Sequence, residues 1–391
     1  MKDFGLNLVS VRIKMRIQQE NIRRQRRHEI HRKRRPNLIL EEAEWMQISC
    51  IDFIQIIEMM NSSNIDVNVL RVIKRNLERG EKYIQAFMSI EGSLHMLKEF
   101  LIGPDVEKLL EAIGCCTNLC FSSHEVTVKV INKIAPYLIT FLNGNNIIVQ
   151  EYSSICIGNM AYDCEICCTL LKRQGLLFTI IPLLQSSHQQ IVRSCLFVLQ
   201  NFSRYLNKND IEKLTKEGIL TIISKLLLSK LSSQSLLHDI YNILFHFTAH
   251  IESCKQYFHK EAIHLIALNH LKFFCLDQFK NVSIITTIVR ILGNLTSSDD
   301  TFSTEILSHK YFEDCLSELL TSSFRHIRKE ILWLLRNVFA SCNRKFIWSN
   351  INVPSLINTL LLLHHRDDSA NEALYILQDL SDPNPCRSSV L

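Results

Sequence analysis

Glycine and proline are scarce in this chain, at 10 and 7 of 391 residues. That argues against a turn-rich sandwich, barrel or propeller and favours helices. It also leaves little for phosphate-cradling loops: no GxxxxGK[ST] or GxGxxG can be assembled, and neither a GxSxG elbow nor an HExxH pair occurs. An enzyme is therefore the least expected class, with no catalytic residue and no cofactor. No secretory leader is expected either, since an arginine run stands where an h-region would be. Aromatics are absent from residues 5–44, so that stretch has no platform for base stacking and no direct nucleic-acid partner is expected. The longest run without Lys, Arg, Asp or Glu near the end is Phe346 to His365, and Ser349, Asn350, Asn352, Pro354, Ser355, Asn358 and Thr359 interrupt it. A span needs about 20 predominantly apolar residues. The run is expected to be a buried core helix, and a membrane is not expected as a partner.

What is present reads as ordered protein: 47% apolar and 21% charged residues. Fourteen scattered cysteines without a leader point to a reduced compartment, cytosol or nucleus. Two thiol clusters, CCTNLC (Cys115, Cys116, Cys120) and CEICC (Cys164, Cys167, Cys168), fall in adjacent repeats. Zinc commonly takes two spaced pairs. Ordinary buried thiols are the better account, and no metal is expected. The histidines cluster only at His364–His365, read as surface.

Charge is uneven. Between Arg12 and Arg35 lie eleven Lys/Arg against two acids, Glu20 and Glu29, while the remainder of this chain of net charge +5 is weakly acidic. Residues 1–40 thus form a basic arm on an acidic body, suited to an acidic partner or to its own body. The arm has too few apolar residues to fold by burial alone, and Pro36 is expected to end any helix near Arg35. A solvated tail or a nucleic-acid arm are the plainer readings.

A repeat organises the rest. Asn followed by an apolar residue recurs at Asn76, Asn118, Asn159, Asn201, Asn294 and Asn337, with degenerate copies at His246 and Asp379, in steps of 41 to 48 residues. A helical period of 40–47 residues means an armadillo or HEAT solenoid. The unit 164–205 shows the parts: a short helix ending at Gly175, a second helix, and a longer third whose Val192, Cys195, Leu196, Leu199 and Phe202 share one face. Gly92 and Gly218 occupy nearly the frame of Gly175. Three helices per unit is the armadillo form. The expected fold is therefore all-α: a right-handed superhelical armadillo solenoid of about eight units over 45–382, with a flexible tail at 383–391.

Positions four and seven before each Asn share its helical stripe, because seven residues turn about 700°. Position −7 is Glu111, Asp239, Glu330 and Glu372 in four units, and Glu151 lies at −8 in another. Stacked third helices would carry a ladder of amides, at about 10 Å steps on one concave surface. An amide offers a donor and an acceptor to an extended peptide, and the acids would favour its Lys or Arg side chains. The local alternative is that each Asn only caps backbone groups within or between repeats.

With the phased Asn units, the arm IRRQRRHEIHRKRRPN resembles the importin-β-binding segment of importin-α, and KEILWLLRN (329–337) resembles its third helix, where Trp and Asn four apart grip basic signals. Within that group the chain resembles the divergent family named transmembrane and coiled-coil domain-containing protein six. The resemblance implies a cargo groove at Trp333, Asn337, Asn294, Asn201, Asn159, Asn118, Asn76, Glu111 and Glu330. It also implies an importin-β-binding arm at Arg23, Arg24, Arg26, Arg27, Arg32, Lys33, Arg34 and Arg35, or, as the alternative, an arm that folds back as pseudo-cargo. One unit keeps Trp at −4; the others have Val72, Gly114, Ile155, Phe197, Asn242, Arg290 and Tyr375 there. An indole over a cation contributes roughly 0.5–2 kcal/mol, so signal binding should be weaker than in the family, and Arg290 should repel a basic cargo.

Three functions follow as expectations. The chain is a nuclear-import adaptor of cytoplasm and nucleus, with an importin-β-type carrier and a basic cargo peptide as partners. Or it is a general armadillo scaffold whose arm is its own nuclear-localisation signal. Or it is membrane-associated, as the name of the related family suggests.

Overall fold

The computed structural model describes residues 48–59, 65–229, 234–277, 280–364, 373–374 and 376–377. The arm, the tail, Glu372, Tyr375 and Asp379 lie outside the described residues. Among the described residues there are helices and no strand. The chain divides into two compact bodies, 1–198 and 199–391.

In the first body, α1 (Cys50–Met59) and α2 (Val67–Glu78) precede a three-helix unit: α3 (Glu81–Ser89), α4 (Ser93–Ile102) and α5 (Val106–Leu119). Then come α6 (His124–Leu142), α7 (Ile147–Asp163), α8 (Glu165–Arg173), α9 (Leu176–Leu183) and α10 (Gln189–Ser203), whose last turn opens the second body. That body continues with α11 (Lys208–Lys216), α12 (Ile219–Leu228), α13 (Gln234–Thr248), a 3₁₀ turn (Ile251–Ser253), α14 (Lys255–Lys260), α15 (Ile263–Leu276) and α16 (Val282–Thr296). It ends with α17 (Asp300–Leu307), α18 (Phe312–Thr321), α19 (Arg325–Ser341), α20 (Arg344–Asn350) and α21 (Val353–His364).

The three-helix unit is set by local chemistry. In three units the first helix meets the second at a glycine in the left-handed region: Gly92 (φ 82°), Gly175 (φ 85°) and Gly218 (φ 83°). A Cβ at these positions would meet nothing within 4 Å, so it is backbone conformation and not space that calls for glycine. Across Gly175 the chain turns by 82°. The same frame in the next unit holds Ala262, at φ 49°, a conformation that costs a non-glycine residue about 1–2 kcal/mol. Two third helices of the first body start on side-chain caps: Asp105 accepts from the N–H of Glu107 and Lys108, and Asn146 from those of Ile148 and Val149.

Two expectations are corrected. The unit after Asn118 has two helices, not three. Its first and second are fused into the 19-residue α6, with Pro136 inside. The frame that holds Gly92, Gly175 and Gly218 in three other units is Ile134–Ala135 here, which continues a helix. Likewise the apolar run 346–365 is not one core helix. Asn352 caps α21 by accepting from the Ser355 N–H, so the run breaks at Ile351–Asn352 into α20 and α21. Leu356, Leu360 and Leu363 are buried while Leu361 and Leu362 are exposed. No single helix among the described residues is long and apolar enough to cross a membrane.

The third helices form the spine of each body. In the first, α2 packs on α5 and α5 on α7; in the second, α13 packs on α16 and α16 on α19. The face predicted for α10 is buried in full, from Val192 to Phe202. Apolar faces that only a neighbouring unit can cover are the physical reason the repeats cohere.

Candidate functional site

The repeated amides sit on this spine and bind their neighbours. Asn118 on α5 donates to the Lys74 carbonyl of α2 at 2.8 Å. Asn337 on α19 donates to the Gly293 carbonyl of α16 at 3.0 Å, and Asn294 on α16 to the Thr248 hydroxyl of α13 at 2.8 Å. Asn76 instead donates to the Val72 carbonyl of its own helix and accepts from Arg79. Each bond engages one of the two N–H groups of an amide. What remains for another chain depends on cover. Asn76, Asn118, Asn159 and Asn201 are 4–6% exposed, whereas Asn294 and Asn337 are half-buried.

Position −4 docks on the unit before it. The benzo ring of Trp333 lies on the Cα of Gly293: a Cβ there would stand 2.1 Å from Cζ3 and 2.5 Å from Cε3. Phe197 lies on Gly158 in the same way, with a Cβ 2.5 Å from Cδ1. Gly158 and Gly293 each immediately precede a ladder Asn. Close approach of a large ring is what demands glycine at these two positions. Phe197 is 4% exposed, while Trp333 keeps 37% of its surface open. The remaining described −4 positions use other packing; Gly114, for example, accommodates the aliphatic stem of Lys74.

The acids are not left open for a foreign cation. Glu111, 2% exposed, is held by Arg71 at 3.4 Å and by Lys74, both from the preceding third helix. Glu330 takes Arg290 of α16, with Nε–Oε1 2.7 Å and Nη2–Oε1 2.6 Å. Arg290, expected to repel a basic cargo, is thereby paired, and position −4 of one unit neutralises −7 of the next. Glu151 differs: among the described residues it has no ion pair, and burial pushes its carboxyl above the usual range. Burial and then the charges of Glu111 and Glu151 push the adjacent Tyr152 hydroxyl up to about 12. At the degenerate copy, burial and then Arg204 hold the His246 imidazole down at about 4. It stands neutral where other units have an amide.

The structure therefore brings Trp333, Asn337 and Glu330 together on α19, against Gly293, Arg290 and Asn294 of α16. It brings Glu111 and Asn118 together on α5 against Lys74. Asn76, Asn159 and Asn201 are buried within their packed helices, and the arm residues Arg23 to Arg35 lie outside the described residues. Two features escaped sequence reasoning: the glycine under each aromatic, and the ion pairs that join consecutive units. His259, His264 and Glu305 also converge. Packing accounts for that group: His259 stacks on Phe302 at 3.6 Å and His264 bonds Glu305 at 2.5 Å.

No family model matches the chain. It is 25% identical over 305 residues to importin subunit alpha-9 of Arabidopsis thaliana, covering 75% of this chain and 57% of that protein. It is 26% identical over 324 residues to importin subunit alpha-2 of Oryza sativa subsp. japonica, covering 80% of this chain and 60% of that protein. The chain thus spans under two thirds of the length of these relatives. Among solved structures, an engineered protein superposes with a TM-score of 0.70 at 17% identity, over 84% of this chain and 78% of that one. A designed armadillo repeat protein aligns over 73% of this chain and 99% of its own, at 17% identity and a TM-score of 0.46. The fold is the all-α armadillo type, and the likeness to importin α subunits is distant.

Proposed function

We propose that this chain is an importin-α-like adaptor that holds an extended cargo peptide on the third helices of its second body. The observation that carries the reading is Trp333. Its ring is seated on Gly293, beside the amide of Asn337, and its other surface remains open. A fixed, half-open indole offers a face to a lysine or arginine stem and its cation. Asn337 and Asn294 each retain an amide N–H and the Oδ1 acceptor for the backbone of that peptide. The importin α relatives support the same class. The arm residues Arg23, Arg24, Arg26, Arg27, Arg32, Lys33, Arg34 and Arg35 would engage an importin-β-type carrier, making association salt-dependent. Cytoplasm and nucleus are the compartments this reading requires. The finer resemblance to the transmembrane and coiled-coil domain-containing protein six family belongs to the same proposal.

A titration of the full chain with a Lys/Arg-rich peptide tests the groove. Trp333→Ala is expected to weaken binding roughly 2- to 30-fold, and Asn337→Ala to act in the same direction. An affinity unchanged in both variants removes the adaptor reading. Reversing the arm's arginines should abolish retention of importin-β at physiological salt.

One observation favours a second reading, a general repeat scaffold whose arm is its own localisation signal. The ladder acids Glu111 and Glu330 already carry cations from within the chain. In that case a peptide array on the full chain would show no Lys/Arg enrichment.

A further inference from the structure

Four metal-ligating side chains meet where α7 passes into α8. Asp163 is the last residue of α7, Cys164 is the extended residue between the helices, and Cys167 lies in the first turn of α8. His124, the first residue of α6, arrives from one unit earlier. Cys164 Sγ lies 3.6 Å from Cys167 Sγ and 3.3 Å from His124 Nδ1. Cys167 Sγ is 3.9 Å from His124 Nδ1 and 3.5 Å from Asp163 Oδ2, and His124 Nδ1 is 2.8 Å from Asp163 Oδ2. All four donor atoms fall within 4.8 Å of one another.

Tetrahedral zinc, with sulfur at about 2.3 Å and nitrogen or oxygen at about 2.0–2.1 Å, sets edges of about 3.8 Å for S–S, about 3.5 Å for S–N or S–O, and about 3.3 Å for N–O. The thiol and imidazole spacings already match. The His124–Asp163 hydrogen bond would have to open by about half an ångström when its proton gives way to a metal. We propose that Cys164 Sγ, Cys167 Sγ, His124 Nδ1 and Asp163 Oδ2 form a structural zinc site joining two consecutive units of the first body. Four protein donors fill a tetrahedral shell and leave no open position, which suits a structural and not a catalytic metal.

Charge and access agree. Zinc with two thiolates and one carboxylate carries a net −1, and it would sit at the N-termini of α6 and α8, where anions are favoured. The Cys167 N–H already donates to Cys164 Sγ at 3.4 Å. The His124 side chain is 44% exposed, so an ion can reach the donors. On binding, each thiol passes its proton to solvent. A bound ion would pin the start of α6 to the start of α8, adding coordinate bonds to two helices that already pack on each other. The proposal is independent of any cargo.

The test uses the full chain, reduced, stripped with chelator, reloaded with zinc and desalted. One zinc per chain is expected, and cobalt substitution should give tetrahedral d–d bands with thiolate charge transfer. Cys164→Ser and His124→Ala should each weaken zinc affinity by about 100-fold or more with helical content unchanged; the exposure of His124 makes that second variant tolerable to the fold. Zinc absent from the wild type, or retained at full stoichiometry and affinity by either variant, overturns the proposal. Retention by the variants would point instead to the buried thiols of Cys115, Cys116 and Cys120.

Discussion

The two bodies are built from one repeat and stocked differently. Nine of the fourteen cysteines precede residue 199, and ten of the fifteen histidines follow it. In the first body Asn76, Asn118 and Asn159 are nearly closed off, and the ring on glycine is the buried Phe197. The second body opens on the equally covered Asn201, but further along the same register holds half-buried Asn294 and Asn337, and the ring on glycine is the half-open Trp333. A repeated spacing of amides and aromatics is therefore not itself a binding surface; cover decides. The two glycines offer the sharpest way to break this contrast. Gly158→Ala puts a methyl 2.5 Å from a ring that has nowhere to go. Overpacking of about 3 kcal/mol, offset by about 1 kcal/mol of helix propensity, should leave a net loss near 2 kcal/mol. Gly293→Ala faces a closer contact, but the indole can swing toward solvent. Its stability should change by less than about 0.5 kcal/mol, while peptide affinity falls as in Trp333→Ala. Denaturant unfolding of both variants checks this, and equal destabilisation would erase the distinction.

Protons provide the next test. Burial lowers the imidazoles of His246, His264, His270 and His309, all in the second body, and Arg204 adds to the effect at His246. The unfolded chain takes up protons near 6.5, while folded His246 does so only near 4. Between those values the unfolded state binds more protons, so the stability contributed by neutral His246 is fully present above 6.5 and is lost as pH drops toward 4. Amide exchange resolved by body at pH 7 and pH 5 should show this loss for residues after 199, and His246→Gln should reduce it. Identical protection of the second body at both values would count against buried neutral histidines.

Much of this was legible in the chain itself, because the signals were local. The Asn frame, the third-helix face at Val192 to Phe202, and the left-handed glycines Gly92, Gly175 and Gly218 each depend on a few neighbouring residues. The fusion in α6 was not legible: Ile134–Ala135 lacks glycine, but so do Ala262 and Lys310–Tyr311, which still separate two helices. What escaped were relations one unit apart. Gly158–Asn159 and Gly293–Asn294 are the two ladder pairs that begin with glycine, and each is followed one unit later by a −4 aromatic, Phe197 or Trp333. Reading each −4 position alone hid that match. The same limitation made Arg290 a repulsive charge, when its partner Glu330 stands forty residues on. His124 and the Asp163–Cys167 turn are likewise separated by a whole repeat, which is why two thiols in CEICC lacked visible companions.

The smallest expected effect concerns that ion pair. Arg290 and Glu330 are 45% and 21% exposed, so their attraction contributes at most about 0.5–1 kcal/mol to stability. Arg290→Ala should leave unfolding nearly unchanged. It should also release the Glu330 carboxylate beside Trp333, where a cargo lysine or arginine can replace the lost guanidinium. Affinity for a Lys/Arg-rich peptide is then expected to rise about 2- to 5-fold at low salt, the gain shrinking as salt is added. The counterpart in the first body does not permit the same edit: Glu111 is buried, and without Arg71 it would lean on Lys74 alone. A fall in affinity for Arg290→Ala would mean that this arginine, and not the acid behind it, faces the peptide, and the second body would then have to prefer acidic or neutral cargo.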